Sequence, residues 1–306
     1  MAFLYALPGA AAEGLIWGLM AIGVYITYKI LDIADLTVDG SICTGGCVCA
    51  VLLGLGVSPW IALLAALIAG AATGMVTGLL HTVLGIPSIL AGILTQLMLY
   101  TVNLVTLGGK SLMAIDPRAN QLIVHMSNNP RSVLMLALIV AGTIFALYKF
   151  FYTEIGLTLK STGDNPAMSR AQGVDVDRNK VIGLAIANGI VAMAGALLAQ
   201  YKGSANINDG RGAIVIGLAA IFIGLSVSMK IKPNFVVSLI GVTCGGVVYY
   251  IVYNFVILMG LKTDYLKMLS AIIVAIFLAV PYLKSEYFQR KKPLPVPPEA
   301  GGDGNA

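Results

Sequence analysis

Gly156 to Lys180 reads GLTLKSTGDNPAMSRAQGVDVDRNK, a polar island between two apolar runs of helix length. It carries its own helix signal. Asn165 is a capping residue, Pro166 stands at the first helical position where a missing N–H costs nothing, and Gly173 closes the turn. Ala167 to Gln172 between them make about two turns, with Arg170 exposed. So short a helix is unstable alone, so either a binding partner holds it or it lies on the bilayer as a connector.

The rest of the chain explains why such an island is unusual. Of 306 residues, 58% are hydrophobic and only 11% charged, and the mean hydropathy is +0.90. A soluble domain carries roughly 25% charged residues, so lipid must cover most of this surface. The 35 glycines fit a membrane fold in which small residues let helices approach closely. The expected fold class is therefore all-α, a polytopic membrane protein with about nine transmembrane helices, some broken or re-entrant. No length remains for a soluble catalytic domain.

Taking about 20 apolar residues per span, spans are expected at Ala11 to Leu31, Ile42 to Val57, Trp60 to Val83, Ile89 to Leu107, Val133 to Phe151, Val181 to Ala199, Ile214 to Met229, Phe235 to Leu258 and Leu266 to Tyr282. The second and seventh are short enough to be broken helices. Residues 1–290 form one membrane domain with a loop at 152–180, and 291–306, KKPLPVPPEAGGDGNA, read as a disordered tail. The start, MAFLYALPGAAAEG, lacks a basic residue before its apolar run and reads as a retained span rather than a signal peptide.

Orientation follows the Lys and Arg of short loops. With the C-terminus inside, twelve basic residues fall on the cytoplasmic side: Lys29, Lys149, Lys160, Arg170, Arg178, Lys180, Lys230, Lys232, Lys284, Arg290, Lys291 and Lys292. Seven fall outside: Lys110, Arg118, Arg131, Lys202, Arg211, Lys262 and Lys267. This puts the 152–180 loop in the cytoplasm and the N-terminus outside. The formal charge of +5 is then orientation chemistry and not a nucleic-acid footprint.

Several features invite chemistry and are weighed against plainer readings. Cys43, Cys47, Cys49 and Cys244 define no disulfide framework; without nearby His they read as apolar fillers rather than a metal site. Thr106 to Ser111, TLGGKS, imitates a phosphate-binding loop, but the position that needs Gly is Leu104. This chain is therefore expected to bind no ATP and no other cofactor. The spacings Gly14/Gly18, Gly70/Gly74/Gly78 and Gly241/Gly245 mark close helix packing, within the chain or between subunits.

Leu31 to Ser41, LDIADLTVDGS, crowds Asp32, Asp35, Thr37 and Asp39 between two apolar runs. It is either a solvated turn with helix caps or an unwound stretch lining a pathway, where polar backbone is tolerated inside a membrane. Ala205 to Gly212, ANINDGRG, is a similar stretch. Its Asp209-Gly210 echoes Asp39-Gly40, and YTVN at Tyr100 to Asn103 faintly echoes YIVYN at Tyr250 to Asn254. The expected topology inverts the first echo and keeps the second parallel, so one simple repeat does not explain both. Polar residues within spans are Glu13, Thr95, Gln96, Asn103, Asn188 and Asn254, each needing a partner or a solute. Asp35, Thr37, Asp39, Gln96, Asn103, Asn188, Asn206 and Asn208 are the candidate pathway residues.

Gly156 to Gln200, continuing the opening stretch through VIGLAIANGIVAMAGALLAQ, resembles the cytoplasmic loop and following span of ABC importer permeases of the branched-chain amino-acid and ribose permease family. The motif residues are Gly156, Gly163 to Asn165, Ala167, Ala171, Gln172-Gly173-Val174 and Gly195 to Ala199. Gly14 to Ser41, GLIWGLMAIGVYITYKILDIADLTVDGS, and Leu79 to Thr95, LLHTVLGIPSILAGILT, are similar to a narrower group, the permeases of tripartite importers with lipoprotein receptors. Tryptophan and tyrosine are the substrates associated with that group.

The resemblance implies a cell-membrane permease in which Gly163, Asp164, Asn165, Pro166, Ala167, Arg170 and Gly173 form a coupling helix and dock on a cytoplasmic ABC ATPase dimer. ATP and Mg²⁺ would belong to that partner. It further implies a second permease copy, a homodimer for a single gene, and a substrate-binding lipoprotein meeting the outer residues Lys110, Arg118, Lys202 and Arg211. The chain itself would not be an enzyme. Against this stand an ion-coupled secondary transporter using an acid among Glu13, Asp32, Asp35 and Asp39, and an importer for a sugar or nucleoside. An intramembrane enzyme lacks a constellation, since His81 and His125 pair with no nearby acid or Cys.

Overall fold

The computed structural model describes residues 2–116, 122–126, 130–228 and 234–258, with four single positions beyond. Ten α-helices and one two-stranded antiparallel sheet form most of these residues: α1 (Ala2–Tyr25), α2 (Val38–Gly54), α3 (Pro59–Thr82), α4 (Ser88–Thr106), β1 (Leu112–Ala114), α5 (Pro130–Phe151), α6 (Glu154–Asp164), α7 (Pro166–Ala171), α8 (Val176–Lys202), β2 (Ser204–Asn206), α9 (Ala213–Ser228) and α10 (Phe235–Leu258). The protein is all-α and polytopic.

Among the described residues, six helical segments are long and apolar enough to cross a membrane, and α2 and α9 are shorter apolar helices. The expected count of nine spans is thus not reached there, and the ninth, Leu266 to Tyr282, lies almost wholly outside the described residues, as do Arg118, Lys230, Lys232, Lys262, Lys267, Lys284 and the tail from Arg290 onward. The two spans read as short are the two half-length helices, of 17 and 16 residues.

Why α2 is short is visible at its approach. After α1 the chain widens into a π-helical turn, Ile26–Ile30, in which the Leu31 N–H reaches the Ile26 carbonyl at 3.0 Å. Asp32 then takes a left-handed conformation, φ 54°, and ends the helix. The chain re-enters the bundle through residues 33–37 before α2 begins. Its Ser41 meets Asn188, near the middle of the 27-residue α8, so α2 starts at mid-height.

A second fold-back precedes the second short helix. The long α8 ends at Gly203, the strand β2 pairs antiparallel with β1, and the chain folds back through residues 207–212 before the short α9. A β-carbon on Gly210 would run into the Asp39 carbonyl, so the two Asp-Gly pairs face each other where the short helices begin. The first sequence echo thus marks two fold-backs that meet in space, and the second lies on α4 and α10.

α1 and α8 form the centre, and α4 and α5 present most of their surface outward. The glycine spacings resolve into packing within the chain. Gly70, Gly74 and Gly78 of α3 lie on the α8 backbone, Gly14 and Gly18 of α1 on Val247 and Thr243 of α10, and Gly245 on Ala220 of α9. The polar island holds more helix than its sequence suggested. Besides α7 it contains α6, capped by the Thr153 hydroxyl on the Gly156 N–H, and the first turn of α8, capped by Asp175 on the Arg178 N–H.

Candidate functional site

Two polar assemblies sit inside this apolar bundle. The first is a closed network. Asp35, 3% exposed, accepts the Thr37 N–H at 2.9 Å and the Asn188 side-chain amide at 2.7 Å. Asn188 in turn accepts the Ser41 hydroxyl at 2.6 Å. Ser41 meets Thr73 at 2.8 Å, Thr37 meets Thr77 at 2.7 Å, and Thr77 meets Thr95 at 3.0 Å. One carboxylate, one carboxamide and five hydroxyls thus tie α2, α3, α4 and α8 to the re-entrant segment. The solvated-turn reading fails for Asp35 and Thr37: both are buried, their polar groups satisfied by protein. A satisfied buried network fixes geometry rather than offering free groups.

The second assembly is open. A cavity of about 370 Å³ lies between α2, α4 and the segment leading to α9, lined by Asp39, Cys43, Gln96, Tyr100, Asn103 and Arg211 together with Gly40, Leu97 and Ile207. Asp39 builds its wall by capping α9: its two oxygens accept the Gly212 and Ile214 N–H groups, each at 2.9 Å. That anchors the first turn of α2 to the first turn of α9 and neutralises the positive end of α9. Cys43 fastens the same corner, accepting the Gly210 N–H at 3.1 Å and donating to the Ile207 carbonyl at 3.3 Å. A larger apolar groove of about 510 Å³ between α3, α5 and α8 contains no charged side chain.

The candidate pathway residues therefore divide. Asp39, Gln96 and Asn103 line the cavity; Asp35, Thr37 and Asn188 hold its frame. Asn206 and Asn208 do neither: Asn206 is in β2, and its side chain accepts the Asn208 N–H at 2.9 Å. Arg211, an outer residue by the resemblance, is exposed and also lines the cavity. Lys202 pairs with Asp209 at 3.3 Å. Ser41, Thr73 and Thr77 were missed, since a hydroxyl within a small-residue helix face reads as packing. All four cysteines are free thiols, and no group of three or more His, Cys, Asp or Glu gathers among the described residues.

At the opposite end of α8 from the β1–β2 pair, α7 has the capped form its sequence predicts. The Asn165 side chain accepts the Met168 N–H at 3.0 Å, Pro166 opens the helix, and Gly173 follows at φ 81°. Asp164, Asn165, Pro166, Ala167, Arg170 and Gly173 are exposed, and so is Met168. Gly163 differs: it lies against the Ile30 carbonyl and Leu31. Asn179 of α8 donates to Thr162 at 3.0 Å, holding α6 in place. The Arg170–Asp177 pair, 3.2 Å, is exposed on both sides and adds little stability.

These features define a multi-pass membrane transport protein, with a polar cavity framed by two half-length helices and an exposed capped helix at one end. The chain belongs to the family described as "Branched-chain amino acid transport system / permease component", which matches residues 8–280. It is similar to the tyrosine transport system permease protein of Clostridioides difficile (strain R20291), 36% identical over 268 residues, 87% of this chain and 88% of that one. It is also similar to the ribose import permease protein RbsC of Escherichia coli (strain K12), 25% identical over 264 residues, 86% and 81% of the two chains. The autoinducer 2 import system permease protein LsrC of Salmonella typhi is 29% identical over 210 residues, 67% and 58% of the two chains. No solved structure matches the chain.

Proposed function

We propose that this chain is the permease subunit of an ATP-driven ABC importer for an amino acid, with an aromatic one such as tyrosine or tryptophan as the best fit. In this reading α7 docks on a cytoplasmic ATPase dimer, which binds the ATP and Mg²⁺. A second copy of the chain completes the pathway, and a substrate-binding lipoprotein delivers solute at the end that holds β1 and β2. The N-terminus and the β1–β2 pair then lie outside, and α6, α7 and the C-terminus inside.

One observation carries the reading: α7 and the cavity are joined by an unbroken series of close contacts. Gly163, at the end of α6 just before α7, rests on the Ile30 carbonyl, and the Leu31 side chain covers Gly183 of α8. Asp35, four residues on, is bonded to Asn188 of α8, and Asp39 forms the cavity wall. A displacement of α7 moves the re-entrant segment without crossing a gap, which is what coupling from an external motor requires.

The test is reconstitution of the permease with its co-purifying ATPase and receptor in proteoliposomes, followed by uptake of radiolabelled L-tyrosine, L-tryptophan and D-ribose. ATP-dependent uptake of an aromatic amino acid is the expected result. Uptake of ribose alone overturns the substrate. Uptake driven by an ion gradient without ATP overturns the importer and favours an ion-coupled carrier, for which the buried Asp35 would be the titrating group.

A further inference from the structure

We infer that the cavity between α2 and α4 is a subsite for the charged backbone of an α-amino acid, Arg211 holding its carboxylate and Asp39 its ammonium. The inference rests on the reading of the chain as a permease. It assigns to the permease itself a part of substrate choice that would otherwise belong wholly to an external receptor.

The charges themselves point there. Among the described residues the ion pairs are Arg170–Asp177 and Lys202–Asp209. Arg211 and Asp39 line one cavity, and Arg211 directly precedes Gly212, whose N–H Asp39 holds, yet the two side chains form no ion pair with each other. Opposite charges on a shared wall, set apart, match a molecule bearing both. Each Asp39 oxygen accepts one backbone N–H, and a carboxylate has about four acceptor positions, so room remains for an ammonium group. Arg offers a planar fork suited to a carboxylate.

A second observation is independent of charge. Asn103 is 2% exposed, lines the cavity, and makes no side-chain hydrogen bond among the described residues. Its amide atoms open onto the cavity, where they can meet the polar groups of a solute. Gln96, two turns of α4 earlier on the same cavity, is likewise without a side-chain bond among those residues. Leu97 and the Tyr100 ring supply the apolar wall for a side chain. The volume of about 370 Å³ falls in the ~300–1,000 Å³ range of small-molecule sites. A neutral sugar would leave both charges unmatched.

Direct binding to the purified permease, without receptor or ATPase, tests this apart from transport. L-tyrosine, L-tryptophan and L-leucine are titrated against tyramine, tryptamine and isopentylamine, which lack the carboxylate, and against D-ribose, which lacks both charges. At least one amino acid should bind at least about tenfold more tightly than its amine. Arg211→Gln, at an exposed position, should bring that ratio within about twofold, and Arg211→Lys should restore part of it. Equal binding of acid and amine, binding of ribose alone, or no binding by protein that elutes as a single folded species each overturns the inference. Because uptake is not measured, absence of an ATPase partner would overturn the proposed function and leave this result standing.

Discussion

Gly163 touches Ile30 so closely that a β-carbon at position 163 would overlap the Ile30 carbonyl oxygen. The residue is a spacer, letting α6 and the base of α7 lie directly on the π-helical turn that leads into the re-entrant segment. Gly163→Ala should therefore force these elements apart. Overpacking of this kind costs about 1–3 kcal/mol. The protein should still insert and carry its cavity, while ATP-dependent uptake falls by about fivefold or more if that energy is lost from the coupled state. Uptake at the unmodified rate, measured in proteoliposomes of equal permease content, would refute the role of this contact.

The cap of α7 makes a separate prediction. Asn165 satisfies the Met168 N–H at 3.0 Å on a helix of only six residues. Asn165→Ala removes that acceptor at a typical cost of about 1 kcal/mol, which a single-turn helix has little packing to offset. Recovery of the ATPase in a pull-down should drop, and Asn165→Asp, which keeps the acceptor, should restore most of it. Equal recovery in all three proteins would show that α7 does not carry the docking.

The buried network should govern stability more than transport selectivity. Asn188 is the junction, giving its amide to Asp35 and accepting from Ser41. Asn188→Leu leaves a carboxylate and a hydroxyl without their partner among apolar helices. An unsatisfied buried group costs about 1–3 kcal/mol, and more when charged. Thermal unfolding in detergent should shift down clearly, and Asp35→Asn added to Asn188→Leu should recover part of the loss by removing the stranded charge. A double variant no more stable than Asn188→Leu alone would contradict this account.

How much of this was legible depends on whether the deciding contact is local. The α7 cap spans three residues and is written in order, Asn165, Pro166, then Gly173, so the sequence predicts it well. The two half-length helices were visible as short apolar runs, and Asp39, Gln96 and Asn103 as polar residues where hydrocarbon requires a reason for them. The fate of Asp35 was not legible, because Asn188 is 153 residues away. That Arg211 shares a cavity with Asp39 was not legible, because the fold-back before α9 brings together residues 172 positions apart. Helix α6 was hidden by its mixed polar composition and its two glycines, whose use is to approach Phe150–Phe151 and Ile30.

The Asp39 carboxylate has two duties, and two substitutions separate them. It caps α9 through both oxygens and faces the cavity with what acceptor capacity remains. Asp39→Asn keeps one oxygen for the helix end, at an expected cost of under about 1 kcal/mol since Asn is itself a good cap, but removes the negative charge. Asp39→Ala removes both, leaving the Gly212 and Ile214 N–H groups open at the start of a 16-residue helix. The unfolding temperature should therefore fall markedly for Asp39→Ala and little for Asp39→Asn. Transport should be lost in both, since the cavity loses its negative partner to Arg211 either way. If Asp39→Asn transports normally and only Asp39→Ala fails, then Asp39 serves the helix end alone, and the cavity does not use its charge.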